Sequence, residues 1–252
     1  MAAEKTSAII LRTIDFSESS CVVTLFTRDF GKISALAKGA RRPKGPFEAA
    51  IDLLALVRIV FLSKSSDALD LLTEAKLDRR FRAASKDLTR LYAGYYIIEL
   101  LDDLTDNNDP HPELFDIANQ TILNLDSEEP VASNILRFEM AALNLLGHSP
   151  SWRQCVGCGS TNVELNNGIS FGLLAGGAFC RNCRAGKRQV VRLGSKSVEL
   201  LEAYMSVETE DWRNVPLESR QHGEIRGVIN QYFSHLLGKR PRMHKFLGLM
   251  NL

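Results

Sequence analysis

The chain of 252 residues is long enough for one large domain or two small ones. Its hydrophobic content of 45% and charged content of 24% are ordinary for a globular protein, and no apolar run is long enough to predict a membrane span. The formal net charge is only +1, and the N-terminus lacks the apolar stretch of a signal peptide, so a cytosolic protein with reduced thiols is expected.

The first 78 residues predict a β-barrel. Apolar, β-branched runs occupy 6–12, 21–27, 32–38, 51–62 and 69–75, and a short turn that ends at Gly31 joins the second run to the third as in a hairpin. Segment 38–47 is rich in Gly, Pro and basic residues and predicts a loop. Five short strands indicate the five-stranded oligonucleotide-binding (OB) fold, although an SH3-like barrel would give a similar pattern.

From Asp78 onward the apolar residues follow helical spacing for about 25 residues. Pro112 suits the first turn of a second helix, and a third begins near Pro130 and ends at Gly147. Two later helices are predicted, one from an N-cap at Ser195 to about 207 and one over about 216–237. The pattern predicts an α+β protein with a barrel domain at 1–78 and a helical domain at 79–252, the latter with a zinc element at 152–190.

Four cysteines form two Cys-x-x-Cys pairs, Cys155/Cys158 and Cys180/Cys183. Two such turns complete the tetrahedral set of thiolates that Zn²⁺ accepts, and the 21 residues between the pairs lie just outside the usual spacing of about 15–20. Four thiolates leave no position for water, so one structural zinc ion is predicted; two disulfides and four unrelated thiols are the alternatives. Cys21 lies in an apolar run and is expected to be buried.

The charges are segregated along the chain. Residues 28–44 hold six Lys/Arg and one acid, residues 91–136 hold ten acids and no Lys/Arg, and the runs 181–196 and 225–252 are basic without any acid. This separation favours contact between the basic surfaces and a polyanion, with the acidic helices pointing elsewhere.

The loop at 38–44 is the best candidate for contact with nucleic acid, because Lys and Arg on a Gly/Pro loop can follow a phosphate backbone. Phe26, Phe30 and Phe47 are candidates for base stacking, although Phe26 also suits a core position. A merely solvated basic loop is the alternative. The predicted DNA-binding residues are Arg28, Lys32, Lys38, Arg41, Arg42 and Lys44. A second basic group beside the Cys180 pair either extends this DNA track or keeps the module in solution; its members are Arg181, Arg184, Lys187 and Arg188.

No common catalytic motif is present: the sequence lacks the phosphate-binding loop, His-Glu-x-x-His and Gly-x-Ser-x-Gly. Asp102, Asp103, Asp106 and Asp109 could hold Mg²⁺ as in a nuclease, but their position near Pro110 fits a solvated helix end better. The residues therefore favour a DNA-binding protein that is not an enzyme, with no catalytic residues. A metal-dependent nuclease and a zinc-stapled scaffold for protein docking are the alternatives.

Three stretches together resemble the bacterial recombination protein O (RecO) family. The first, 8–44, contains Glu18-Ser19, Leu25-Phe26-Thr27, Gly31-Lys32 and the Lys-Gly-x-Arg of residues 38–41. The second, 136–159, carries Arg137-Phe138-Glu139, Leu146-Gly147 and the first Cys-x-x-Cys, and the third is the closing helix at 227–247. The chain departs from the family pattern at Arg242-Met243, where members often have Lys-Ser, so the role of the C-terminal basic run stays open.

The resemblance implies an N-terminal OB barrel, a helical body and a zinc-binding element. It implies a recombination mediator that binds single- and double-stranded DNA and anneals complementary strands. It also implies that the protein loads the recombinase onto DNA coated by single-stranded-DNA-binding protein, together with recombination protein R, with the helical domain binding the tail of the coating protein. Carried over by position, Lys38, Arg41 and Arg42 are the principal DNA contacts, and a cytoplasmic, nucleoid-associated location follows.

Overall fold

The computed structural model describes residues 3–42, 47, 50–64, 69–83, 87–161, 163 and 168–249. Its chain forms two compact units, Met1–Val131 and Ala132–Leu252. The first contains a closed barrel and two helices, and the second contains helices and a small three-stranded sheet. The predicted division at residue 78 into a barrel domain and a helical domain stays a prediction.

The predicted five-stranded OB barrel is confirmed, with the closed strand order β1-β2-β3-β5-β4. Side chains alternate inward and outward along β2 and β3, as the period of a half-buried strand requires. The barrel is closed by the parallel pairing of β3 with β5 and the antiparallel pairing of β1 with β4. The strands are Ala3–Asp15 (β1), Cys21–Thr27 (β2), Gly31–Ala37 (β3), Leu56–Leu62 (β4) and Asp70–Arg79 (β5).

Strand β1 is longer than the predicted run because it serves two partners. Its first half pairs with β4 and its second half pairs with β2, and the register shifts between Ile10 and Arg12. A shift of this kind bends a strand, which lets one strand bridge both sides of a closed barrel.

Two boundaries differ from the sequence prediction. Residues 51–55, predicted as strand, form a turn in which Leu54 takes a φ of 65° and is buried against Gly94. Helical structure does not begin at Asp78, because β5 stays paired to β4 as far as Arg79. The first helix begins at Leu88, where the carboxylate of Asp87 accepts a hydrogen bond of 2.8 Å from the N–H of Thr89.

The helices of the first unit are α1 (Leu88–Leu104) and α2 (Pro112–Leu125), and Pro112 opens α2 as predicted. The second unit adds α3 (Val131–Leu145), α4 (Arg181–Arg184), α5 (Ser195–Met205), α6 (Ser219–Leu236), α7 (His244–Leu249) and a 3-10 helix at Asp211–Asn214. Its sheet has the order β7-β6-β8, from Ile169–Gly172 (β6), Gly177–Phe179 (β7) and Val190–Leu193 (β8). No helix among the described residues is long and apolar enough to cross a membrane.

The helices of the second unit are held by polar contacts that the sequence did not indicate. Glu139 of α3 is fully buried and paired with Arg226 of α6 through both carboxylate oxygens. Helix α5 is capped from outside, because Glu224 accepts the N–H of Gly194 at 2.8 Å. The predicted N-cap at Ser195 is therefore wrong, and Gly194 occupies that position. Helix α7 was not predicted, since six residues carry too little periodicity.

Candidate metal centre and nucleic-acid interface

The four predicted cysteines converge at one point in the second unit. Their Sγ atoms all lie within 4.8 Å of one another, and those of Cys158 and Cys180 are 3.9 Å apart. A tetrahedron with Zn–S bonds of about 2.3 Å has sulfur–sulfur edges of about 3.8 Å, so the arrangement fits one tetrahedral metal ion. Among the described residues this is the one group of three or more cysteine, histidine or carboxylate side chains that could hold a metal.

Local structure explains the convergence. The first pair sits in a turn in which the N–H of Gly159 donates to the carbonyl of Cys155, and the second pair spans the end of β7 and the start of α4. The turn must pass close to the second pair, because a Cβ on Gly157 would lie 3.0 Å from Cβ of Cys183. A side chain at 157 would therefore crowd Cys183, so glycine suits this close approach of the two pairs.

Backbone donors prepare the site for thiolates. Burial raises the pKa of Cys155, but the N–H groups of Cys180, Gly157 and Cys158 donate to its sulfur and lower the pKa to about 6. The pKa of Cys183 is raised to about 12, chiefly because its side chain shares hydrogen bonds with Cys158 and Cys180. A divalent cation would replace the protons that the clustered sulfurs otherwise share.

The metal element is anchored to the rest of its unit by aromatic packing. Trp152 stacks on Phe171 of β6 with ring centroids 5.0 Å apart, and Phe171 meets Tyr232 of α6 edge to face. Arg153, beside the first cysteine pair, donates to Glu202 of α5 at 2.6 Å. These contacts use one face of the small sheet and leave its other face for Arg192, Ser170 and Phe179.

The predicted DNA-binding residues do not form one surface. Arg28 is held by two hydrogen bonds of 2.9 and 2.8 Å to Asp116 of α2, which raise its pKa. The side chain of Lys32 is only 12% exposed and lies 3.2 Å from Asp102 of α1. These two cations attach the β2–β3 hairpin to the acidic helices. The expectation that the acidic helices point away from the basic residues is therefore wrong, because opposite charges within one compact unit pair with each other.

The remaining predicted contacts lie at one end of the barrel. Lys38 and Arg42 are exposed and make no ion pair with a described residue, and Arg41 is 3.0 Å from the exposed carboxylate of Asp15. Lys44 lies outside the described residues. A surface pair such as Arg41–Asp15 is weak and screened by salt, so it leaves Arg41 able to exchange its partner for a phosphate.

The turn that carries these residues is folded against the β1–β2 turn. The N–H of Arg41 donates to the carbonyl of Ser19 at 3.1 Å, and the N–H of Gly39 donates to the hydroxyl of Ser20 at 3.3 Å. On the same β1–β2 turn Phe16 is 64% exposed, and Ile14, near the end of β1, is 45% exposed. We call the group Ile14, Phe16, Lys38, Arg41 and Arg42 the barrel-end surface.

Phe16 was not identified from the sequence as a candidate for base stacking, and the three phenylalanines named there pack against other side chains. Phe26 is fully buried, Phe47 is buried, and Phe30 packs edge to face on Phe61 of the core. Phe16 could have been found as a large apolar residue among Asp15, Ser17 and Glu18, in a turn where burial is rare.

The acidic side chains considered for a nuclease centre do not gather around a cation position. Asp102 pairs with Lys32, and Asp109 lies 3.0 Å from His111.

The buried His244 has its pKa lowered to about 4, first by burial and then by Arg226 and Arg240, so it is neutral at pH 7. Cys21 is buried in the barrel, as predicted.

Two family models match the chain, "Recombination protein O N terminal" over residues 1–81 and "Recombination protein O C terminal" over residues 85–245. A curated relative from Rhodopirellula baltica, named DNA repair protein RecO, is 42% identical over 95% of this chain and 97% of its own length. A relative of the same name from Myxococcus xanthus is 30% identical over 97% of this chain and 97% of its own length. Another, from Symbiobacterium thermophilum, is 30% identical over 99% of this chain and 98% of its own length.

Proposed function

Because the chain belongs to the recombination protein O family, we propose that it is a DNA-binding mediator of recombinational DNA repair and not an enzyme. Its relatives are named DNA repair proteins, which supports a role on DNA. The absence of catalytic motifs from the sequence supports binding rather than bond cleavage.

The observation that carries this proposal is the barrel-end surface. Exposed cations at Lys38, Arg41 and Arg42 provide contacts for successive phosphates, and the adjacent ring of Phe16 provides a face on which a base can stack. Stacking and phosphate contacts together bind a single strand without reading its sequence. Annealing of complementary strands requires such binding, because the base edges must stay accessible for pairing.

The finer parts of the proposed role rest on the family. We propose that the protein binds both single- and double-stranded DNA and helps to load the recombinase onto strands coated by single-stranded-DNA-binding protein. The proposed protein partners are the C-terminal tail of that coating protein and recombination protein R. With DNA as its ligand and clustered thiols that need reducing conditions, the protein would act in the bacterial cytoplasm at the nucleoid.

We further propose that the four cysteines hold one zinc ion with a structural role. Cys155, Cys158, Cys180 and Cys183 would be its ligands, which leaves no coordination position for a substrate. The ion would fix the turn of the first cysteine pair against β7 and α4, because neither segment has an extensive apolar core of its own.

The test of the DNA site is reversal of Lys38, Arg41 and Arg42 to Glu in the full chain. Binding of a fluorescent single-stranded oligonucleotide is measured by anisotropy at fixed salt. We expect the affinity to fall by about tenfold or more, because three phosphate contacts become repulsive.

The matched control reverses Lys5, Lys64 and Lys76 to Glu, three exposed residues on other parts of the barrel. Both variants change the net charge by the same amount, so a general field effect would weaken both equally. Equal affinities of the two variants would exclude the barrel-end surface as the binding site.

A further inference from the structure

The outward face of the small sheet in the second unit carries a second basic surface. Ser170 of β6 pairs with Phe179 of β7 on one side and Arg192 of β8 on the other, so the three form one row across the sheet. Helix α4 follows directly after β7 and adds Arg181 and Arg184. The opposite face, with Phe171 and Ala178, is buried.

These residues enclose a cavity of about 190 Å³, which we call the arginine pocket. Its described lining residues are Val163, Gly168, Ile169, Ser170, Phe179, Arg181, Arg184 and Arg192. None of these described residues is acidic. The pocket is lined by three arginines, the hydroxyl of Ser170 and apolar side chains. The volume is below the roughly 300–1,000 Å³ of pockets that enclose drug-sized ligands, and it suits a single small anionic group.

Arg181 and Arg184 of this pocket differ from other basic positions among the described residues. Arg28, Arg58 and Arg153 each pair with a carboxylate, whereas neither Arg181 nor Arg184 forms an ion pair with a described residue. Like charges held close together repel one another, and an anion with several oxygens would relieve the repulsion between Arg181 and Arg184. Guanidinium groups bind phosphate through paired, directional hydrogen bonds.

A larger cavity of about 990 Å³ on the barrel shows the contrast. Its lining combines Lys5, Arg58 and Lys76 with Asp29 and Glu74, so its charges are nearly balanced and select no anion. A third cavity has three arginines in its lining, but Asp78 and Asp126 line it as well. The described lining of the arginine pocket combines three arginines with no acidic residue.

We infer that the arginine pocket binds one phosphate group of a DNA strand, as a site distinct from the barrel-end surface. This inference rests on the proposed function, since it takes DNA as the ligand. The two sites belong to different compact units of the chain. A protein with two such sites holds DNA at two points, and Lys187 and Arg188 lie outside the lining of the second point.

The test compares R181Q/R184Q with R188Q/K196Q in the full chain. Both variants remove two exposed charges from the same basic run, but only the first alters the pocket. Binding is measured with a 3′-labelled single strand that carries either a 5′-hydroxyl or a 5′-phosphate. Metal content and circular dichroism establish that each variant is folded. If R181Q/R184Q does not fold, R181K/R184K takes its place, because lysine keeps the positive charge but lacks the paired donors of the guanidinium group.

We expect R181Q/R184Q to weaken binding about fivefold or more and R188Q/K196Q less than twofold. A loss with both oligonucleotides identifies a backbone phosphate as the ligand, and a loss confined to the phosphorylated strand identifies a strand end. Equal effects of the two variants, or displacement of the unaltered protein from DNA by an acidic peptide but not by inorganic phosphate, would overturn the inference.

The same experiment includes the barrel variant K38E/R41E/R42E. If that variant loses affinity while R181Q/R184Q does not, the pocket assignment fails and the proposed function stands. If the unaltered protein does not bind DNA, both fail.

Discussion

Individual cations in this chain serve two different purposes that sequence alone does not distinguish. Lys32 and Arg28 come from the same basic run as Lys38 and Arg42, yet the first two are paired with carboxylates of α1 and α2. A paired cation gains little by exchanging its carboxylate for a phosphate, because the new contact replaces one of similar strength. Lys38 and Arg42 have no such partner among the described residues, and Arg41 has a single contact with Asp15 where Arg28 has two hydrogen bonds to Asp116. These three are therefore the better candidates for DNA contact.

Phe16 supports a prediction at the scale of one residue. Substitution of Phe16 by Ala should weaken single-strand binding by about 1–3 kcal/mol, because stacking of one base on an aromatic ring has that value. The measurement is oligonucleotide anisotropy, and Phe16→Trp should retain affinity because it keeps an aromatic face.

The control for Phe16→Ala is Leu174→Ala, which removes a side chain that is also about half exposed, at 52%, but lies in the second unit. An affinity of Phe16→Ala equal to that of the unaltered protein would show that the ring contacts no base.

The metal element shows how a short segment without a large core is stabilised. Strands β6, β7 and β8 have only three or four residues each, and on one face of the sheet Phe171 packs against Trp152 and Tyr232. A metal ion held by the four sulfurs would cross-link the first turn to the end of β7. A structural zinc site contributes on the order of 10–16 kcal/mol when it forms together with the fold.

Loss of the metal should therefore unfold this element selectively. In Cys158→Ser, elemental analysis should show the loss of one zinc per chain, and hydrogen exchange should accelerate at the amides of β6 and β7. The amides of β1 to β5 should keep their protection, because the barrel has its own apolar core.

The comparison variant is Cys21→Ala, which removes a cysteine of the barrel and should keep the metal. Protection of β6 and β7 in metal-free Cys158→Ser equal to that in the unaltered protein would contradict a structural role for the ion. Iron rather than zinc in the purified protein would correct the identity of the ion without changing its ligands.

At the scale of the whole molecule, a net charge of +1 describes no surface of the protein. Some acidic residues of the first unit form ion pairs with cations of the β2–β3 hairpin, while basic residues remain exposed at the barrel end and in the run 181–196. Local potential, rather than net charge, determines attraction to a polyanion.

Binding to DNA should accordingly depend steeply on salt. Each phosphate contact on a single strand contributes a slope of about −0.7 to the dependence of log K on log salt. Contacts by Lys38, Arg41 and Arg42 with three phosphates, and by the arginine pocket with one, together predict a slope of roughly −2.8 in an anisotropy titration from low to moderate salt. A slope near zero would indicate that neither basic surface contacts phosphate.

Features that depend on local chemistry could be predicted from the sequence alone. The alternation of β2 and β3 indicated strands, Pro112 marked the start of α2, and the spacing of the two Cys-x-x-Cys turns indicated which sulfurs would meet. Each of these follows from a few neighbouring residues whose period or turn chemistry permits few alternatives.

Only the tertiary structure decided how distant segments share their charges and surfaces. The pairing of Lys32 with Asp102, the capping of α5 by Glu224 and the exposure of Phe16 join or separate residues far apart in the chain. The arginine pocket likewise exists because antiparallel pairing brings Arg192 beside Ser170 and Phe179. Local patterns predict which side chains are polar or charged, but their partners depend on how the elements pack.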